Sequence, residues 1–364
     1  MIPVSPLLKE SVKYSRSISL RVDILRGSVV VFPDVPVVAG KLTRDRGQKV
    51  RMTSDITIDT SNHPEINITQ EVHRFKVTTI LTSLGVHEEV QHGIFRIDDI
   101  SIQQDNILEL SGSGLEIYVV DARFLSPRTP PYGTSTIEHI TDLIQEVLPG
   151  QVVSAECSRN KPIQATAPWE RERWDAIDAL ANSIGAEVYA DHRGYFVIKD
   201  IPSLTNTYPS YVIRRGDGGT LSSLKVQNTR DRVYNAVVAI GQSSDPNVPP
   251  VWGWAYDNDP TSPTYYYGDF GQVPKFFSSQ FLTTTDQCTA TAQSQLAEAL
   301  AANRALSLVS LSLTFLEPGD VIDVEVQPGI FERRLIQKIT HGLDTDRASQ
   351  IETLLMKSAS DAEA

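Results

Sequence analysis

The strongest constraint on the fold is the alternation of apolar and polar residues in short runs separated by turn residues. Residues 18–24 alternate with period two, and residues 50–58 do so over a longer run. This period places one face of a strand in a core and the other in solvent. Similar runs lie at residues 75–81, 93–102 and 107–111. We therefore predict an antiparallel β domain over residues 17–131, after an N-terminal extension at residues 1–16.

A helical pattern follows the proline-rich stretch 126–133, which we interpret as a domain boundary because proline prevents helix and disfavours central strand. Ser135 and Glu138 have the spacing of a capping box, which predicts that a helix begins there. A second amphipathic helix is predicted from about residue 169 to 184, with a β-hairpin after it. Together these elements predict a small α+β domain over residues 132–208.

The last third returns to strand patterns. We predict a second β domain built from residues 209–250 and 304–356. Leu306 to Phe315 alternate with a change of phase near Val309, which predicts a strand with a β-bulge. An inserted aromatic and helical domain, residues 251–303, interrupts this domain and includes an alanine-rich helix from about 285 to 302. Residues 357–364 are predicted to form a flexible tail.

The fold class is thus mainly β, with two tube-like antiparallel β-barrels flanking a small α+β domain and a helix-containing insertion in the second barrel. Near its end, Pro318 and Gly319 predict a structural turn between two strands. If Gly319 has a positive φ, a valine there should disturb the last hairpin.

Charge and cysteine content exclude several classes of protein. The chain has 364 residues and a formal net charge of −12, which argues against a protein that mainly grips nucleic acid. Its two cysteines exclude a disulfide framework or a cysteine-rich zinc module. No apolar run approaches the roughly 20 residues that span a bilayer. The N-terminus lacks the apolar core of a signal peptide, so we expect a protein that is not exported.

Catalytic and metal-binding patterns are not found in the sequence. His87 and His92 have neither the spacing nor the companions of a zinc site, and we predict a solvated loop there. Asp257 to Asp259 begin like a calcium loop, but no glycine stands at its sixth position. No nucleophile elbow is present. We therefore predict no catalytic residue, no metal site and no cofactor, and an enzyme is the third-ranked function.

The aromatic stretch in the insertion is the main surface candidate. Its candidate interface residues are Trp252, Trp254, Tyr265, Tyr266 and Tyr267. Such rings are suited to binding a sugar or a partner protein, because Trp and Tyr dominate interface hot spots. We favour the alternative, in which they close the end of a barrel or pack in a subunit contact.

Several stretches give the chain a resemblance to the tail hub, or baseplate hub, proteins of tailed bacteriophages and related injection machines, especially hubs from phages of actinobacteria. They cover the first barrel, the middle domain and both ends of the second barrel, and the resemblance extends over nearly the whole chain. The stretches are residues 40–47 with Arg51, 93–97, 169–177, 187–198, 232–241 and 316–322.

The resemblance implies a homotrimer whose six barrels form a pseudo-hexameric ring. Such a ring adapts the six-fold tail tube or distal tail ring to a three-fold tip, at the distal end of a virion assembled in the host cytoplasm. Implied partners are the distal tail or tail tube protein, the tape measure protein and a separate tip, fibre or spike protein. DNA would pass through the lumen without specific binding, and we expect an acidic lumen because it repels phosphate.

The main rival function is an all-β carbohydrate-binding receptor or adhesin that uses the aromatic insertion. Loss of glycan binding in Trp252→Ala and Trp254→Ala would favour that alternative over the hub.

Overall fold

The computed structural model describes residues 1–14, 17–61, 67–83, 85–104, 106–164, 168–202, 208–228, 230, 233–241, 249–279, 282–302, 304–343 and 348–355. The predicted tail, residues 357–364, lies outside these ranges. Strand accounts for 46% of the residues and helix for 16%, which confirms the prediction of a mainly β protein. Within the described residues, no helix is both long and apolar enough to cross a membrane.

The first part of the chain forms a short helix and seven strands. These elements are α1 (Pro6–Ser11), β1 (Ser17–Arg26), β2 (Val29–Val35), β3 (Val37–Asp45), β4 (Met52–Asp59), β5 (His73–Ser83), β6 (Val86–Gln104) and β7 (Ile107–Gly114). The middle part mixes helices and short strands: α2 (Glu116–Asp121), α3 (Thr136–Gln145), β8 (Val153–Glu156), α4 (Arg173–Ser183), β9 (Ala186–Ala190) and β10 (Phe196–Asp200).

The remaining part contains nine strands and one long helix in the described residues. They are β11 (Tyr211–Ile213), β12 (Leu221–Asn228), β13 (Ala236–Gly241), β14 (Trp252–Tyr256), β15 (Pro274–Ser279), α5 (Thr285–Ala302), β16 (Arg304–Ser310), β17 (Val321–Gln327), β18 (Ile330–Gly342) and β19 (Ser349–Leu355). The alanine-rich helix therefore has the predicted bounds.

The two β regions share one sheet of 13 strands. Its path runs β12-β16-β19-β18-β3-β4-β7-β6-β5-β1-β2, and β17 pairs with both β18 and β11. The antiparallel pairing of β18 with β3 joins the two regions. Among the described residues this path is open at β2 and β12, so the two expected barrels are not separate closed rings in one chain.

The N-terminal extension packs against the second β region. Ile2, Leu8 and Val12 are buried in the same core cluster as Leu306 and Phe315. Because Ser5 accepts a hydrogen bond from the Leu8 N–H, α1 has a capped N-terminus. The extension therefore covers the sheet.

The α+β unit has a three-stranded sheet of order β8-β10-β9. Helix α4 packs against β9, and α3 packs against α4. Ser135 caps α3 by accepting from the Glu138 N–H at 3.2 Å, as predicted. However, α4 begins at Arg173 rather than near residue 169. Trp169 instead pairs its backbone with Arg128, which anchors the proline-rich boundary segment.

The inserted unit is a sheet of order β14-β13-β15 with α5 on one face. In the described residues β13 pairs only with β14 and β15, so the predicted boundary at residue 251 separates β13 from its hydrogen-bonding partners.

The predicted strand through Phe315 is wrong, because β16 ends at Ser310. The change of phase marks the end of the strand, after which Leu313 and Phe315 are buried in an irregular segment.

Candidate interaction surface

An uncovered apolar face lies on the inserted sheet, opposite α5. Cross-strand pairing places Trp254 beside Val238 and Val238 beside Phe276 in one row. The next row pairs Trp252 with Ile240. Because paired residues project from the same side of a sheet, these side chains form one continuous surface.

The largest rings of this face are well exposed. The exposed fractions are 57% for Trp252, 53% for Trp254, 36% for Tyr256, 63% for Tyr267 and 66% for Phe276. We call these five residues, which the chain folding brings to one surface, the aromatic face. Single exposed apolar residues are ordinary, whereas a contiguous group of this kind indicates an interaction site.

The tyrosines of the 257–271 loop extend the aromatic face at one end. Tyr256 contacts Tyr266 with ring centroids 5.0 Å apart and Tyr267 at 5.8 Å. Tyr265 contacts Tyr267 at 5.9 Å. The Tyr256–Tyr267 rings cross at 83° and the Tyr266–Tyr267 rings at 88°. Edge-to-face pairs of this kind are energetically favourable and hold the tyrosines together.

Two buried polar residues fix this loop. The Asn235 side chain donates to the carbonyls of Thr264 at 3.0 Å and Gly271 at 2.7 Å. The Asp257 carboxylate accepts from the hydroxyls of Ser262 at 2.5 Å and Thr264 at 2.8 Å. Both hydroxyls donate to Oδ2 of Asp257, while its Oδ1 accepts from the Asp259 N–H at 3.3 Å. Asp257 therefore has a structural role within the loop.

The opposite face of the sheet packs tightly on α5. Val237 and Ala239 of β13 are buried with Cys288 and Ala292 of the helix. At Gly253 the helix comes so close that an added Cβ would lie 2.5 Å from the Thr289 nitrogen. Because successive residues of β14 alternate between its two faces, Gly253 lies towards the helix, and Trp252 and Trp254 lie on the outer face.

Three of the residues that the sequence singled out, Trp252, Trp254 and Tyr267, belong to the aromatic face. The other two, Tyr265 and Tyr266, contact its tyrosines. The face also includes Phe276 and Tyr256. The sequence missed Phe276 because Phe276 and Phe277 are adjacent in the chain, and the side of the sheet that α5 covers decides which one is exposed. Phe277 packs towards α5.

Pro318 and Gly319 lie in a turn that leads from an irregular segment into β17. Gly319 has a φ of +91°, in the region that side-chain-bearing residues avoid. Its N–H donates to the Ile336 carbonyl at 2.8 Å, which ties the turn to β18. A cavity of about 50 Å³ beside the turn is lined by Arg44, Glu187, Tyr189, Glu317 and Asp320, among others.

His92 is not in a solvated loop, contrary to the sequence interpretation. It is fully buried in β6, in a bulge where Thr78 pairs with Gln91 and Val77 with Gly93. A bulge re-aims a side chain, and here it accompanies the burial of His92. Its Nδ1 lies 3.3 Å from an Arg44 nitrogen, and its Nε2 lies 2.7 Å from the Thr79 hydroxyl.

Burial and charge determine the protonation of His92 and of the neighbouring His341. A guanidinium only donates hydrogen bonds, so Nδ1 of His92 accepts and Nε2–H donates to Thr79. Burial and the charge of Arg44 lower the pKa of His92. The same two causes lower the pKa of His341, whose ring lies 5.8 Å from that of His92, to about 3.

Glu317 supplies negative charge close to Arg44 and His341. Burial alone would raise its pKa, but the contact with His192 and the positive charge of Arg44 outweigh burial and lower the pKa to about 2. This ionised carboxylate links the turn before β17 to the α+β unit through His192, at 3.5 Å. We interpret these side chains as a structural connection between the large sheet and the α+β unit. They are Arg44, His92, His341, Glu317 and His192.

A metal site is not assembled in the described part of the chain, where no three His, Cys, Asp or Glu side chains are close enough to hold an ion. Cys157 and Cys288 are both free thiols.

Comparison with known proteins gives a fold but no sequence family. No protein-family model matches the chain, and no curated protein matches it. Among solved structures, a tail protein from Neisseria meningitidis MC58 matches with a TM-score of 0.66 and 15% identity, over 93% of this chain and 97% of that one.

Two further tail proteins share the fold. The 43 kDa tail protein of prophage MuSo2 from Shewanella oneidensis matches with a TM-score of 0.62 and 14% identity, over 93% of this chain and 100% of that one. Prophage tail protein gp18 from Listeria monocytogenes EGD-e matches with a TM-score of 0.57 and 12% identity, over 94% and 97% of the two chains. At these identities the likeness establishes the shared fold.

Proposed function

We propose that the protein is a structural hub of a phage tail or of a related injection machine. The observation that carries the proposal is the fold likeness to tail proteins over 93–94% of this chain and 97–100% of theirs. The match extends over nearly the whole length of both chains and is not limited to one unit of this protein.

In this proposal three copies form a ring in which each copy contributes two similar β units. The ring adapts the six-fold tail tube or distal tail ring to a three-fold tip at the distal end of the virion. It contacts the tube or distal tail protein, the tape measure protein and a separate tip, fibre or spike protein. Assembly takes place in the host cytoplasm.

The edge strand β2 of the 13-stranded sheet supports such a ring. Val29, Val30 and Val31 on the edge strand β2 are exposed, and no strand of the described residues pairs with its outer side. An apolar open edge is an aggregation hazard that proteins normally cover. A neighbouring copy that pairs with this edge would remove the hazard.

The lumen of the ring is proposed to be acidic. The net charge of −12 supports it, because a wall of that sign repels DNA phosphates and lets the duplex pass without binding. A trimer structure with a net basic channel would contradict this part of the proposal.

The test is the assembly state of the purified chain by native mass spectrometry and negative-stain microscopy. We expect trimers that appear as rings with a hole wide enough for duplex DNA. Val30→Lys, which charges the edge strand, should yield monomers. The matched control is Val152→Lys, which charges an exposed valine of the α+β unit and should leave the trimer intact. A wild-type chain that stays monomeric at all concentrations would contradict the hub.

A further inference from the structure

The sequence of β13 is that of a strand covered on both faces. Residues 236–240 are Ala-Val-Val-Ala-Ile, an unbroken apolar run. Strands with one face in solvent alternate apolar and polar residues, whereas strands covered on both faces have runs of this kind. In the single chain, however, α5 covers only one face. The other face, with Val238 and Ile240, is the centre of the uncovered surface.

The uncovered surface is free of charge and approaches the size of a standard interface. With the exposed fractions above, the five rings of the aromatic face expose roughly 500–600 Å². This approaches the area of about 800 Å² that each partner buries in a stable complex. The strand positions that share this face are Trp252, Trp254, Tyr256, Ala236, Val238, Ile240, Pro274, Phe276 and Ser278. None is charged, and freedom from charge is typical of obligate contacts between copies of one chain.

We propose that the aromatic face is buried against a second copy of this chain. The inference rests on the homotrimer of the proposed function and assigns it a specific contact surface. A second copy is always present at the same concentration, and burying a contiguous apolar face of this kind against it removes that face from water. The acidic chains can approach here because the nine positions carry no charge to repel a second copy.

The tryptophans make the proposal directly measurable. Of the four tryptophans, Trp169 and Trp174 are buried, whereas Trp252 and Trp254 are exposed on the aromatic face. Acrylamide quenching of the native fluorescence therefore reports mainly on this face. The protein concentration is varied, and the species present are followed in parallel by mass photometry. As the concentration rises and the assembled species replaces the monomer, the acrylamide quenching constant should fall several-fold.

Two variants test the same face by substitution. Trp254→Ser and Phe276→Ser truncate the two ends of the central row and should raise the dissociation constant of the assembly at least 100-fold. Leu125→Ser, which truncates a fully exposed leucine of the boundary segment, is the control and should not change it. Far-UV circular dichroism establishes that each variant is folded.

The possible outcomes separate the two proposals. A trimer whose indoles remain quenchable and which persists in both variants overturns the inference but leaves the hub intact, with the face then free for a glycan or another tail protein. A dimer that dissociates in Trp254→Ser supports the inference and contradicts the trimer. A wild-type monomer at all concentrations overturns both.

Discussion

Gly319 shows how one residue fixes the turn that leads into β17. Its backbone is left-handed, and the nearest atom to an added Cβ, on Pro202, would be 3.8 Å away. Space is therefore available, and the requirement for glycine comes from the backbone conformation. A Pro-Gly pair is a turn signal with a conformational cause, since proline presets φ and glycine tolerates a left-handed backbone.

Replacing Gly319 with valine should destabilise the protein by about 1–2 kcal/mol, because a side chain disfavours the left-handed backbone. The measurement is the midpoint of thermal unfolding, which we expect to fall. Pro318→Ala is the neighbouring control, and it should cost at most about 1 kcal/mol through the entropy of the unfolded chain. Equal midpoints for Gly319→Val and the wild type would show that the turn relaxes without cost.

His341 should make the protein sensitive to acid. Its folded-state pKa of about 3 lies below the ordinary value of 6.5, so the unfolded chain takes up the proton first. The stability that is present above pH 6.5 is therefore lost as the pH falls towards 3, with a slope of up to about 1.4 kcal/mol per pH unit from this group.

We expect His341→Gln to flatten the dependence of the unfolding free energy on pH in this window, measured by urea unfolding at several pH values. His87→Gln, at an exposed position on β6, is the control and should retain the wild-type slope. If the slope of His341→Gln equals that of the wild type, other groups carry the acid sensitivity.

At the scale of the elements, the contact between β14 and α5 explains how the inserted unit exposes its rings. Gly253 lets the helix approach, and this approach fixes which face of the short strand is buried. The alternation then leaves Trp252 and Trp254 on the outer face. A larger residue at position 253 would separate the helix from the strand.

Gly253→Ala should cost about 1–3 kcal/mol, because the added methyl group overpacks a close backbone contact. Hydrogen exchange, read peptide by peptide, should show faster exchange in β13, β14 and β15 and unchanged exchange in the α+β unit. Ser278→Ala, on the exposed side of the same sheet, is the control for the unit. Uniformly faster exchange across the chain would argue against a local effect.

At the scale of the whole molecule, ion pairs join the large sheet to the α+β unit. Glu187 of β9 accepts from Arg46 and from Arg51, both at 2.8 Å. Arg51 also lies over the Tyr189 ring, 4.3 Å from its centroid. Burial would raise the pKa of Glu187, but the two arginines outweigh it and lower the pKa. The two units therefore share a largely buried charged joint.

Glu187→Gln, which removes the charge but keeps the shape, should destabilise the joint by about 3 kcal/mol because two guanidinium groups lose their buried partner. Differential scanning calorimetry should show a lower midpoint or a second transition. The control is Glu298→Gln, since the exposed carboxylate of Glu298 lies 3.7 Å from Arg46 and contributes at most about 1 kcal/mol. Equal effects of the two substitutions would exclude a special role for Glu187.

Local patterns determined the elements and their types. Period-two alternation predicted the mainly β class, the capping residue Ser135 predicted the start of α3, and alanine-rich composition predicted α5. The aromatic stretch with Trp252 and Trp254 was also visible as a candidate surface. These features depend on residues a few positions apart, so the physics that produces them is contained in short segments of sequence.

Only the tertiary structure decided how the elements combine. The pairing of β18 with β3, which merges two expected barrels into one sheet, joins residues about 300 positions apart in the sequence. The burial of His92 depends on a bulge, and the exposure of Phe276 depends on the side that α5 covers. Each of these outcomes depends on which distant surface arrives to bury a given face, and a local pattern carries no information about that partner.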